Sequence, residues 1–342
     1  MKTFKKIISS VLAISSVMAM LSVNSMALGE RETNVSMYYL ADTLSFQLDL
    51  YYDNGTMELL IDNGIYLGST IPAYYEDETG NTEIYTQAVY YPVYSNGDII
   101  GIFNVYHGDE NDTYSYSEYL GDELNEYKSL NPIMFINDDE ERIIPGGELK
   151  VNSCYTDKTA DLVKVPVSNE KANLTRSTSP SKILSVQSWD QTENGYTPLC
   201  RAGSMWSIGE YVNGSTYDSP NTIVNELNNR NYDISEVYAS DVINYLNDLY
   251  GITTTQRGVL THSAIKTTIN NDNPAYMGWD YLKKGHATVL CGYKETDTRF
   301  GIRVMDPYGG LFRVVSVSSN SNTYTMAVNG HTYTWARSLV VQ

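Results

Sequence analysis

The chain has 342 residues, 12% of them aromatic and 19% charged, with three cysteines and a formal net charge of −18. Three cysteines do not make a disulfide framework. No Cys/His spacing fits a zinc site, so no metal is expected, and the acidity argues against a phosphate-binding nucleic-acid surface.

At the N-terminus, Lys2, Lys5 and Lys6 precede a largely apolar stretch, residues 7–23, and Ser25-Met26-Ala27 fits the small-x-small cleavage rule. Residues 1–27 therefore read as a signal peptide. Serines interrupt the apolar run, which argues against a retained membrane anchor. No later run is apolar enough to span a bilayer. The expectation is a secreted protein without a stable membrane anchor, with association at the cell surface left open. The remaining length, about 315 residues, suggests two domains.

Residues 34–167 are expected to be mostly β. Short alternating runs at 45–52 and 56–61 are followed by the turn signals Asp53-Asn54-Gly55 and Asp62-Asn63-Gly64. Residues 88–94 and 99–106 flank Ser95-Asn96-Gly97-Asp98 and predict a hairpin with an Asn-Gly turn. Tyrosine is abundant here and is assigned to half-buried strand packing. Residues 168–181 are small and polar and read as a linker open to processing.

Charge divides the chain at this linker. Residues 28–182 hold 9 Lys+Arg against 27 Asp+Glu, and residues 183–342 hold 11 against 14. The pattern also changes. Helices are expected at 199–212, 222–228, 240–250 and 262–269. Strands follow at 274–279, 286–293, 301–306, 311–317, 324–328 and 331–335. Helices followed by an antiparallel sheet make an α+β plan.

Three residues of the second half stand in contexts suited to thiol chemistry. Cys200 opens a helix, where unpaired backbone N–H groups and the positive dipole end favour thiolate. His286 lies in a strand, and Asp306 closes the next one. A nucleophile, a base and an orienting carboxylate in this order can form a triad. Taken singly, each has a plain structural role: a small buried thiol, a packed strand histidine, a turn residue before Pro307. Strand parity sets His286, Thr288 and Leu290 on one face and Cys291 on the other, so Cys291 is expected in the core. Cys154 precedes the linker and would be lost on cutting it. His107, His262 and His331 are given structural roles. An oxyanion hole needs the Cys200 N–H and a side-chain amide. Gln187, Gln191 and Asn194 are the amides in the approach to Cys200.

These elements resemble the papain-like thiol proteases, especially the secreted bacterial branch of staphopain- and streptopain-like enzymes. The likeness is carried by Gly-Tyr-Thr-Pro-Leu-Cys200, Asn273-Pro274-Ala275, Gly285-His286-Ala-Thr-Val-Leu-Cys-Gly-Tyr293 and Val304-Met-Asp306-Pro307-Tyr308, and covers roughly the last 160 residues. It implies Cys200 as nucleophile, His286 as general base and acid, and Asp306 in the orienting place. It also implies an aromatic shield at Tyr308. The oxyanion glutamine of such enzymes stands where this chain has Asn194, with Gln191 three residues earlier. Gln191 is slightly favoured for its reach and residue type. Arg201 stands where relatives often have Trp.

The acidic half resembles propeptides of such proteases through Tyr91-Pro-Val-Tyr-Ser-Asn-Gly-Asp-Ile-Ile-Gly101. The expected organisation is a signal peptide (1–27), an acidic β-rich prodomain with linker (28–180) and a papain-like catalytic domain (183–342). The catalytic domain would have N-terminal helices and a C-terminal antiparallel sheet or barrel. The expected activity is a cysteine endopeptidase made as a zymogen, acting on protein or peptide through a thioester. Its prodomain would be an intramolecular inhibitor, and no cofactor is implied. Two alternatives remain open: a cell-wall amidase or transglutaminase-like enzyme, and an inactive secreted binding or adhesion protein.

Overall fold

The computed structural model describes residues 36–77, 79–107, 112–137, 141–146, 162–167, 180–191, 199–214, 219–230, 239–281, 284–328 and 331–342. The leader, Cys154, nearly all of the linker and Asn194 lie outside them.

The acidic half opens with two helices, α1 (Met37–Tyr51) and α2 (Asn54–Asn63), where strands were expected. The alternation at 45–52 comes from two helical stripes that interleave. Leu44 and Leu48 face the core of the acidic half. Phe46 and Leu50 also lie against Gly301 of the second half, and Leu50 belongs to the acidic half's core as well. Apolar residues then recur at every second position, although each stripe has four-residue helical spacing. The supposed turn residues are caps. The Asp53 carboxylate accepts from Thr56 N at 2.8 Å, and Gly64, at φ +76°, ends α2.

Strands then dominate this half: β1 (Ile65–Leu67), β2 (Ala73–Glu76), β3 (Thr82–Ile84), β4 (Ala88–Ser95), β5 (Asp98–Tyr106) and β6 (Thr113–Ser117). A short helix α3 (Gly121–Tyr127) precedes β7 (Pro132–Ile136), β8 (Glu141–Pro145) and β9 (Val163–Lys164). β4 and β5 form the expected hairpin. Asn96 and Gly97 both take positive φ, as its tight turn requires.

In the second half β10 (Ser181–Ile183) leads to α4 (Cys200–Asn213), α5 (Pro220–Asn229) and α6 (Ala239–Tyr250). β11 (Thr254–Arg257) and α7 (His262–Asn270) precede β12 (Ala275–Tyr281), β13 (Lys284–Glu295), β14 (Arg299–Asp306), β15 (Leu311–Ser318), β16 (Thr325–Val328) and β17 (His331–Val341). The four expected helices and six expected strands are all present. The mixed α+β class holds, with a large antiparallel sheet.

The two halves share that sheet. Its path runs β11-β17-β12-β13-β14-β15-β6-β5-β4-β1-β9, with β10 beside β13 and β16 beside β17. A second sheet, β3-β2-β7-β8, belongs to the acidic half. The junction is antiparallel, with Val314, Val315 and Ser316 opposite Tyr116, Ser115 and Tyr114. Helix α1 lies across it. Gln47 Nε2 donates to Tyr114 O at 2.8 Å on one side and to Ser316 Oγ at 2.9 Å on the other. Two ion pairs edge the contact, Lys294–Asp49 and Arg299–Asp42, each at 2.7 Å.

Candidate active site

Cys200 is the first residue of α4, a helix whose residues are buried on nearly every side. A helix so enclosed needs small residues wherever it meets another element. At Gly203 a Cβ would come within 2.9 Å of the Trp189 ring and 3.2 Å of Pro307. The glycine therefore lets the first turn of α4 lie directly against the residue that follows Asp306. Leu199, at the N-cap, makes no side-chain capping bond, so that position supplies no competitor for the first-turn N–H groups.

His286 sits on β13 opposite Trp279 and is 7% exposed. Asp306 ends β14 and is fully buried. The two meet at 2.6 Å between Nε2 and Oδ1. The other ring nitrogen, Nδ1, is left for the Cys200 thiol, with which His286 is hydrogen-bonded. The backbone N–H of Tyr308 also donates to Asp306 Oδ1, at 2.9 Å. The Tyr333 ring lies 5.8 Å from the imidazole, centre to centre.

Electrostatics follow from this enclosure. Burial alone would raise the Cys200 thiol. The bond to His286 and its charge, with Arg201 adding to them, turn the net shift downward. Burial likewise works against a charged His286, but Asp306 and the thiol outweigh it and push its pKa up to about 10. Asp306 is held below the usual carboxylate range, because His286 and Arg313 overcome its desolvation. A depressed thiol beside a raised imidazole is the condition for a thiolate–imidazolium pair.

Gln191 reaches the same region. Residues 187–191 run along α4 in the opposite direction. Ser207 Oγ donates to Gln187 O at 2.8 Å, and Trp189 packs at Gly203. Two extended residues cover about as much length as one helical turn. The next step brings Gln191 to Pro307, the residue against which Gly203 of α4 packs. Its N–H bonds to Pro307 O at 2.9 Å, and its buried Oε1 has no hydrogen-bond partner. Asn194 lies outside the described residues. Arg201 is half-buried, bonded to the Tyr276 hydroxyl and close to Gly285.

The remaining histidines and thiol sit elsewhere. Cys291 is buried in the core, as expected, at an irregularity in the pairing of β13 with β14, with its Sγ 3.4 Å from Arg303 O, and burial raises its pKa. His262 stacks on Phe300, His331 on Tyr281, and His107 pairs with Asp112.

Sequence reading missed two neighbours. Arg313 Nε donates to Asp306 Oδ2 at 2.5 Å. Tyr119, from the acidic half, covers that guanidinium at 5.3 Å from its ring centre and meets the Tyr308 hydroxyl at 3.4 Å. For Arg313 a signal existed. A hairpin turning at 307–310 sets residue 313 opposite 304, diagonal to 306 on the same face. Tyr119 carried no such sign, because its approach depends on the junction between β6 and β15. The sequence matches no family model and no curated protein.

Proposed function

We propose that the protein is a secreted cysteine endopeptidase of papain-like type, made as a zymogen. One observation carries the reading: a thiol at the start of a buried helix is bonded to a histidine whose far nitrogen is held by a buried carboxylate. In this reading the Cys200 thiolate attacks the peptide carbonyl. The Cys200 N–H and the Gln191 amide receive the developing oxyanion. His286 passes its proton to the leaving amine, and a thioester remains on Cys200. His286 then takes a proton from water, which attacks the thioester, and the thiolate is restored when the acid product leaves.

The acidic half is proposed to act as inhibitor and folding partner until it is cut away in the linker. Support comes from its contacts beside the site: Tyr119 on Tyr308 and Arg313, and Tyr85 and Gln87 on Thr332 at the start of β17. A second reading, a permanent domain, draws on the continuous sheet through β6 and β15.

Incubation of the full chain with a protein substrate under reducing conditions, with mass spectrometry of products, tests the activity. An epoxide-type thiol-protease inhibitor should label Cys200 selectively. An inert Cys200 together with intact substrate would refute the enzyme reading. If the uncut chain is fully active and never shortens, the inhibitory role of the acidic half fails and the permanent domain stands.

A further inference from the structure

We propose that Arg313 is a positioning residue for the candidate triad, holding Asp306 ionised and turned toward His286 throughout a reaction cycle. The inference rests on the thiol-hydrolase reading above. Asp306 is fully buried, and the Arg313 side chain is 3% exposed. The carboxylate divides its oxygens: Oδ1 serves His286 and the Tyr308 N–H, while Oδ2 serves Arg313.

The need for a second cation comes from the chemistry. A buried carboxylate stays ionised only while something compensates its charge. His286 compensates Asp306 as imidazolium, but loses its charge when it protonates the leaving amine. At that step the only histidine in contact with the carboxylate is neutral. A guanidinium keeps its charge at every pH the protein meets. Arg313 therefore carries the compensation across the step in which His286 cannot. Without it, Asp306 would take up a proton from solvent and donate it to Nε2, and His286 would carry its own remaining proton on Nδ1, losing the tautomer that faces the thiol.

The surroundings supply no other cation in contact with the carboxylate among the described residues. His286 is faced by Cys200 on α4, Asp306 on β14 and Tyr333 on β17, and Arg201 acts on the thiol. Arg313 and Asp306 are faced by Tyr308, by Tyr119 after β6, by Tyr106 on β5 and by Glu141 on β8. One guanidinium nitrogen of Arg313, Nη2, is buried without a hydrogen-bond partner. Its position is thus set by Asp306 and by packing under Tyr119.

The test is a double-mutant cycle in the full chain, with Arg313→Gln and Asp306→Asn singly and together. Hydrolysis of a peptide is followed against pH, after wild-type-like thermal unfolding has been verified. Arg313→Gln should lower kcat about tenfold or more with KM held within about twofold, the pattern of a lost transition-state interaction. Removing the cation raises the protonation midpoint of Asp306. Activity is then lost at higher pH on the acid side, with the acid limb moving up by about one pH unit, a tenfold change in proton affinity. Adding Arg313→Gln to Asp306→Asn should change kcat by less than about twofold, since Arg313 acts only through Asp306. Equal losses in both backgrounds, or an acid limb that stays put, overturn the proposal. If Arg313→Gln fails to fold, Arg313→Met, which also removes the charge while keeping much of the side-chain volume, takes its place in the same cycle and the coupling is read in the same way. If wild type hydrolyses nothing, the enzyme reading has failed, and the cycle is read by NMR titration of His286 instead. A midpoint moved by Arg313→Gln only when Asp306 is present then supports the pairing role, and an unmoved midpoint overturns it.

Discussion

The two halves of the shared sheet differ in what they bury. Around β4, β5 and β6 the interior is lined with tyrosine rings: Tyr51, Tyr52 and Tyr116 meet edge-on or tilted, and Phe103 stacks on Tyr114. Around β13, β14 and β15 the sheet encloses an unbroken polar chain, Cys200–His286–Asp306–Arg313. Aromatic packing stabilises by area and tolerates small shifts. A buried chain of charges does not, because each member removed leaves its neighbour uncompensated. The acidic half is therefore built as a body and the second half as a site, and the two touch where Tyr119 covers Arg313.

The largest effect should come from breaking the chain at its proposed nucleophile. Cys200→Ala is expected to cut peptide turnover on the order of 10⁴-fold or more with thermal unfolding nearly unchanged, and His286→Ala to do nearly the same. Asp306→Ala should retain more activity. Turnover by the Cys200 variant at the wild-type rate would remove the distinction between body and site.

Oxyanion support ranks next. Gln191→Ala should lower kcat by about 10²–10³-fold, and Asn194→Ala by less than tenfold, since one side-chain amide suffices. If neither variant loses tenfold, the oxyanion relies on backbone alone.

The pH profile sharpens the electrostatic side of the contrast. The proposed thiolate–imidazolium pair needs Cys200 deprotonated and His286 protonated. Cys200 is lowered, so the pair forms below the ordinary thiol range; His286 is raised to about 10, so the pair is lost as pH rises through that value. The thiolate ultraviolet band should already be present at neutral pH in wild type and vanish in Cys200→Ala. Its absence in wild type would show that the thiol is neutral there.

The smallest effect belongs to the rim of the junction. Asp42 and Asp49 are 61% and 36% exposed, and exposed pairs contribute about 0.2–1 kcal/mol. Asp42→Asn and Asp49→Asn should each lower stability within that range, and salt should erase the difference. A larger loss that persists in salt would mean that these pairs, not the strand junction and α1, hold the halves together.

Local pattern settled a good deal of this protein. The helix that begins at Cys200, the strand of His286, the hairpin at Asn96-Gly97 and six of the eight described strands of the second half each follow from spacing and punctuation within about a dozen residues. The likeness carried by the Cys200, His286 and Asp306 segments singled out the three residues that the fold assembles. Two features depended on tertiary structure. Residues 45–52 look like a strand only because α1 is covered on two sides, and what covers a helix is decided by distant parts of the chain. The pairing of β6 with β15 brings Tyr119 over Arg313 across almost two hundred positions of sequence. That contact exists because the acidic half continues the sheet of the second half. Short-range propensity carries no information about which two edges meet, and so the covering of the site could be seen only in the folded molecule.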